Sequence, residues 1–213
     1  MGKNLTEEEA LSLCQKYKSI MKEPDLEKYA ERLFNQLKKD FGMEYLPVKL
    51  KQNILEDGTL GIRANTSAFL DSIELTYSKD SPLARHKLFG LLVHELTHAK
   101  QNEISIAVNF SKYVQTLADQ LHRIPANKDI SINHIRNIVA NKIGRENLQN
   151  IRKMYGIIEE GSALHKRGLS YINEQGNYQG VGTFTRESFK RYKQQLLEKE
   201  AYNAQSKANE LYY

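Results

Sequence analysis

Apolar residues along the first forty positions recur at three- and four-residue spacing, the signature of helices with one buried face. Ala10, Leu11, Leu13, Cys14, Tyr17 and Ile20 line one side of a helix expected from Thr6 to about Lys22, opened by Thr6 with Glu9 as a capping box. Pro24 ends it. Leu26, Tyr29, Ala30, Leu33, Phe34 and Leu37 mark a second helix from Asp25 to about Asp40, closed by Gly42. From Glu44 the period changes to alternation. Tyr45 to Leu50, Leu60 to Ala64 and Ile73 to Tyr77 read as three short strands, with Asp57-Gly58 as a turn between the first two. Helical spacing then returns: one helix from Ser81-Pro82 to about Asn102, another from Ser105 to Leu121, a third from Ser131 to Tyr155 and a last one from Ser188 to Leu211. The stretch NEQGNYQGVG, with Gly176, Gly180 and Gly182, is a connector or a flap.

This pattern predicts an α+β protein, mainly helical, with a small sheet ahead of the third helix. Its 213 residues suit one domain in four parts: helices over 1–42, sheet over 43–80, the central helix over 81–102, and a helical half over 103–213.

Composition narrows the class only a little. The charged fraction of 27% and hydrophobic fraction of 40% suit a folded, water-exposed protein, and no apolar run reaches a membrane span. A single cysteine, Cys14, permits no internal disulfide. The N-terminus MGKNLTEEEA has no apolar core of a signal peptide, so a cytoplasmic setting is expected, with delivery into another cell by a non-Sec machine left open. The net charge of +5 is spread in small groups such as Lys38-Lys39 and Lys166-Arg167, without the interleaved aromatics that stack bases. No membrane or nucleic-acid partner is therefore expected.

Chemistry concentrates in Leu91 to Gln101, LLVHELTHAKQ. In a helix, His94 and His98 stand one turn apart, within about 40° of each other, so two imidazoles can close on one cation. Leu88, Phe89, Leu92, Leu96 and Ala99 gather on the opposite side, leaving the histidines to a cleft. Glu95 lies about 100° round from His94, off the ligand axis but within reach of a metal-bound water. Imidazole suits zinc, and a catalytic zinc takes three protein ligands and keeps one position open.

The H-E-x-x-H arrangement of His94, Glu95 and His98 resembles the zincin metallopeptidases, in particular the gluzincin-like group, whose third ligand is a glutamate on a later helix. The metzincin extension does not fit, because Gln101 and Ile104 stand where it requires Gly and His. The resemblance implies Zn2+ held by His94 and His98, Glu95 as general base, and a peptide or protein substrate. Two stretches compete for the third ligand. IIEEGSA resembles the E-G-x-A signature and nominates Glu160, with Gly161 allowing close approach of its helix. EKEAY resembles an E-x-E-A pattern and nominates Glu200. His165, Tyr171 and Tyr178 are candidates for the oxyanion donor that the family draws from Tyr or His. The contrasting expectation is a zinc-stabilised binding module without turnover, associated with nucleic acid through its positive charge.

Overall fold

The computed structural model describes residues 17–55, 62–78, 84–178 and 186–212. The expected capping box at Thr6 and Glu9, the Asp57-Gly58 turn and the distal part of the Gly-rich stretch lie outside them. Residues 17–21 are helical, with Tyr17 and Ile20 buried. Helix α1 spans Leu26–Asp40; Asp25 caps it by accepting from the Lys28 N–H, and Tyr29, Ala30, Leu33, Phe34 and Leu37 are its buried stripe.

Strands β1 (Lys49–Leu55), β2 (Arg63–Thr66) and β3 (Ser72–Ser78) form a three-stranded sheet in the order β1-β3-β2. The central strand β3 pairs in parallel with β1, Lys49 opposite Ser72, and antiparallel with β2, Thr66 opposite Ile73. Six of its seven residues are buried, as a strand covered on both faces requires, whereas β1 and β2 alternate. The first strand starts later than alternation suggests because Tyr45 and Leu46 lie in a turn, where Lys38 Nζ donates to the carbonyls of Leu46 and Val48.

Helix α2 (Ala84–His122) is the axis of the molecule. The sequence pattern expects an end near Asn102 and a new helix from Ser105; instead residues 101–106 are buried and helical throughout. The break falls at Asn109, at φ −156° and ψ 85°, whose side chain accepts from the Lys112 N–H and so caps the distal half. Three further corrections follow the same logic. The helix expected over 131–155 is two helices, α3 (Ile132–Ile143) and α4 (Arg145–Tyr155), divided at Gly144, at φ +81°. Helix α5 (Ala163–Asn177) absorbs Gly176, which the pattern places in a connector. The last helix is divided at Gln195 into α6 (Arg186–Gln194) and α7 (Leu196–Tyr212).

Helices α5, α7 and α3 and strand β2 all pack on α2. A Cβ on Gly168 of α5 would stand 2.5 Å from Val108 Cγ2, so this glycine sets the closest approach of the two helices. Helix α7 lies antiparallel to α2, as successive neighbours show: Asn209 beside Gly90, Tyr202 against His94, and Leu197 beside Gln101. The molecule is α+β, mainly helical, and no helix among the described residues is long and apolar enough to cross a membrane.

Candidate metal centre

Antiparallel docking of α7 brings a carboxylate from its first turn onto the histidine face of α2. Glu198 Oε2 lies 3.4 Å from His94 Nε2, and Glu198 Oε1 lies 3.4 Å from His98 Nε2. The two Nε2 atoms are 3.1 Å apart. These three side chains are the group among the described residues that can hold a metal ion.

The carboxylate beside the two imidazoles is therefore neither Glu160 nor Glu200, the two expected there. Glu160 is exposed in the turn before α5, and the segment around it is the start of a helix rather than its middle. Gly161 adopts φ +79° with nothing near its missing side chain, so it serves a left-handed turn and not a close helix contact. Ser162 caps α5 by accepting from the His165 N–H, and His165 Nδ1 accepts from the Gly161 N–H. His165 is thereby tied to its own helix start. Glu200, on the other flank of α7, accepts from Tyr171 at 2.6 Å, from Gln101 Nε2 at 3.2 Å and from Arg167 at 3.4 Å. Tyr171 is buried against Glu200 and does not line the cleft, unlike Tyr178.

Glu200 nevertheless acts on the histidines at one remove. Gln101 uses both amide hydrogens, on Leu197 O and on Glu200 Oε2, so its carbonyl Oε1 is the atom that faces His98 Nδ1, at 2.9 Å. Only an Nδ1–H can donate there. The neutral His98 ring then carries its lone pair on Nε2, facing His94 and Glu198. Among the described residues His94 has no such anchor: its Nδ1 is buried without a hydrogen bond, and its ring rests edge-on against Tyr202, 4.6 Å between centroids.

The fit to a cation rests on burial and spacing. Glu198 is 1% exposed, and its Oε2 faces His94 Nε2 at 3.4 Å, beyond the length of a good hydrogen bond. A buried carboxylate in that state calls for a positive partner. Burial would raise its pKa, but His94 and His98, bonding to the charged form, hold it well below the usual carboxylate range. The 3.1 to 3.4 Å donor separations compare with an edge of about 3.4 Å for a tetrahedron with arms of ~2.1 Å, the length of zinc bonds to imidazole and carboxylate. Glu198 also sits in the first turn of α7, where the helix dipole favours negative charge, and Glu174 of α5 caps that turn by accepting from the Leu196 N–H.

Glu95 faces the same cleft. Thr66 of β2 fixes it, with Oγ1 2.7 Å from Glu95 Oε2 and 2.8 Å from its backbone carbonyl. The other oxygen, Oε1, makes no hydrogen bond among the described residues. Tyr178 donates to Glu198 Oε1 at 2.7 Å, and its hydroxyl lies 3.1 Å from that of Tyr192. Burial pushes both phenols well above their ordinary range, and the Glu198 charge adds to it, so both stay protonated. Sequence reasoning names Tyr178 but misses Tyr192 and Glu198; Tyr192, Glu198 and Tyr202 come from α6 and α7, whose facing sides only packing determines. The cleft, about 270 Å³, is bounded by Ala64, Thr66 and Ala68 on the sheet side and by Asn102, Gln175 and Leu197 opposite.

No protein-family model, no curated protein and no solved structure matches the chain.

Proposed function

We propose that this chain is a zinc-dependent peptidase, with His94, His98 and Glu198 as the metal ligands and Glu95 as the general base. One observation carries the reading: two imidazole nitrogens and a buried carboxylate meet at tetrahedral spacing in a cleft that also holds a second, separately fixed carboxylate. Two nitrogens and an oxygen form a donor set suited to zinc. Zinc bound there supplies a Lewis acid and a water acidic enough to react near neutral pH.

The residues of the chain do the rest. Glu95 takes a proton at Oε1, the oxygen Thr66 leaves free, and passes it to the departing amine. Tyr178 and Tyr192, both protonated and both lining the cleft, can donate to an oxyanion once they leave Glu198. Strand β2 is at the edge of the sheet beside the cleft, paired on one side by β3 and unpaired on the other among the described residues. An extended peptide can add there as a further strand, its backbone held while a bond is presented to Glu95.

The test is Glu95→Gln. The variant is expected to fold and to bind zinc as the parent does, while cleavage of a mixed peptide library falls at least about a hundredfold, the range lost with a positioned acid–base group. Undiminished cleavage would remove Glu95 from its role.

A further inference from the structure

The cleft does not stop at the histidines. It follows α2 one turn further to Asn102, four residues beyond His98 and on the same face of the helix. Asn102 is 9% exposed and lines the cleft, yet its carboxamide makes no hydrogen bond among the described residues. The polar atoms of that amide keep contact with solvent in the cleft, so a ligand seated there can meet them, and one that displaced their water without bonding to them would leave them unsatisfied.

The surroundings define what that ligand offers. Gln175 of α5 lines the same cleft; its Nε2 donates to Gln120 Oε1 at 3.3 Å, and its own Oε1 is unpartnered among the described residues. Among the described residues no lysine or arginine lines the cleft, and the carboxylates that do, Glu95 and Glu198, belong to the metal end. With a divalent cation in place the two negative charges are balanced, so neither an acidic nor a basic side chain gains from the local field. Amides offer a donor and an acceptor side by side, which matches a carboxamide or a hydroxyl. An aliphatic side chain would bury Asn102 still unpaired.

We infer that this end of the cleft is a specificity subsite that receives an uncharged, hydrogen-bonding side chain of the substrate (Asn, Gln, Ser or Thr) next to the cleaved bond, with Asn102 as its principal reader. The inference rests on the peptidase reading and adds the class of substrate to it. Asn102 touches the substrate side chain and not the reacting atoms. Replacing it should therefore alter which peptides are cut while zinc binding is preserved.

The experiment is a cleavage-site profile. Zinc-loaded full-length protein and its Asn102→Leu variant, similar in size at this position, digest one synthetic peptide library, and mass spectrometry reads the residues flanking each cut. The parent is expected to enrich Asn, Gln, Ser or Thr at one flanking position. Asn102→Leu should shift that position towards Leu, Ile and Met, changing the ratio of polar to apolar cuts roughly tenfold or more, the scale of one hydrogen bond lost or gained in a buried pocket, with zinc content unchanged. Asn102→Asp keeps the shape should Leu disturb folding, and is expected to favour Lys or Arg at that position. An apolar preference in the parent, or the same profile in parent and both variants, overturns the subsite while leaving the peptidase standing. No cleavage by the zinc-loaded parent overturns both.

Discussion

Gln101 Oε1 stands 2.9 Å from His98 Nδ1, and the amide hydrogens of the same Gln101 are committed to Leu197 O and Glu200 Oε2. The tautomer of a histidine on α2 is thus set from α7, through a residue that touches no ligand position itself. Removing the amide frees the ring to turn and to place its proton on the wrong nitrogen. Gln101→Leu is expected to bind zinc about 10- to 100-fold more weakly, the usual consequence of losing a partner behind a ligand. Competition against a chromophoric chelator measures it. Affinity equal to the parent's would mean that His98 is oriented by packing alone.

Thr66→Val keeps the shape of the side chain and removes the hydroxyl that holds Glu95 Oε2. Hydrogen bonds to charged groups contribute about 1.5–3 kcal/mol, so kcat/KM on a cleaved peptide should fall about 10- to 100-fold. Zinc content should not change, because Thr66 is bonded to Glu95 and not to His94, His98 or Glu198. A loss of zinc in this variant would show that β2 supports the metal group itself.

Gly168→Ala tests the packing that positions the C-terminal helices. The new methyl would meet Val108 Cγ2 at 2.5 Å and the Ile104 carbonyl at 3.3 Å, so α5 must shift away from α2. The expected destabilisation is about 1–3 kcal/mol, typical of an overpacked core, and appears as a lower Tm. Gly90→Ala should cost much less, since the atoms in the way belong to the side chain of Asn209, which can turn aside. Equal Tm values for the two variants would contradict this account of the helix contacts.

The histidines and Glu95 were legible because H-E-x-x-H places its residues by helical geometry alone, and α2 is a helix there. The α+β pattern, with its sheet ahead of that helix, was legible for the same local reasons. Glu198 was not. Leu197, Ala201 and Ala208 form the buried stripe of α7, and Glu198 and Glu200 flank it on opposite sides, each about 80° from its centre. Nothing in the stripe distinguishes them; the direction and rotation with which α7 docks on α2 decide that Glu198 meets the imidazoles and Glu200 meets Gln101 and Tyr171. Glu160 misled for another reason. The E-G-S-A run has the composition of a ligand helix, but Gly156 and Gly161 both take positive φ and Ser162 caps, so the run is an entry to α5.

On the proposed function, one zinc ion is held by two α2 imidazoles and the α7 carboxylate. X-ray absorption at the zinc edge, on protein purified and loaded with one equivalent of zinc, reads these ligands. The expected spectrum has two imidazole nitrogens and carboxylate oxygen at about 2.0–2.2 Å, changed in Glu198→Ala and unaltered in Glu160→Ala. A spectrum indifferent to Glu198→Ala, or protein that takes up no zinc, would contradict it and leave His94, His98 and Glu198 as a buried ion pair held by a proton.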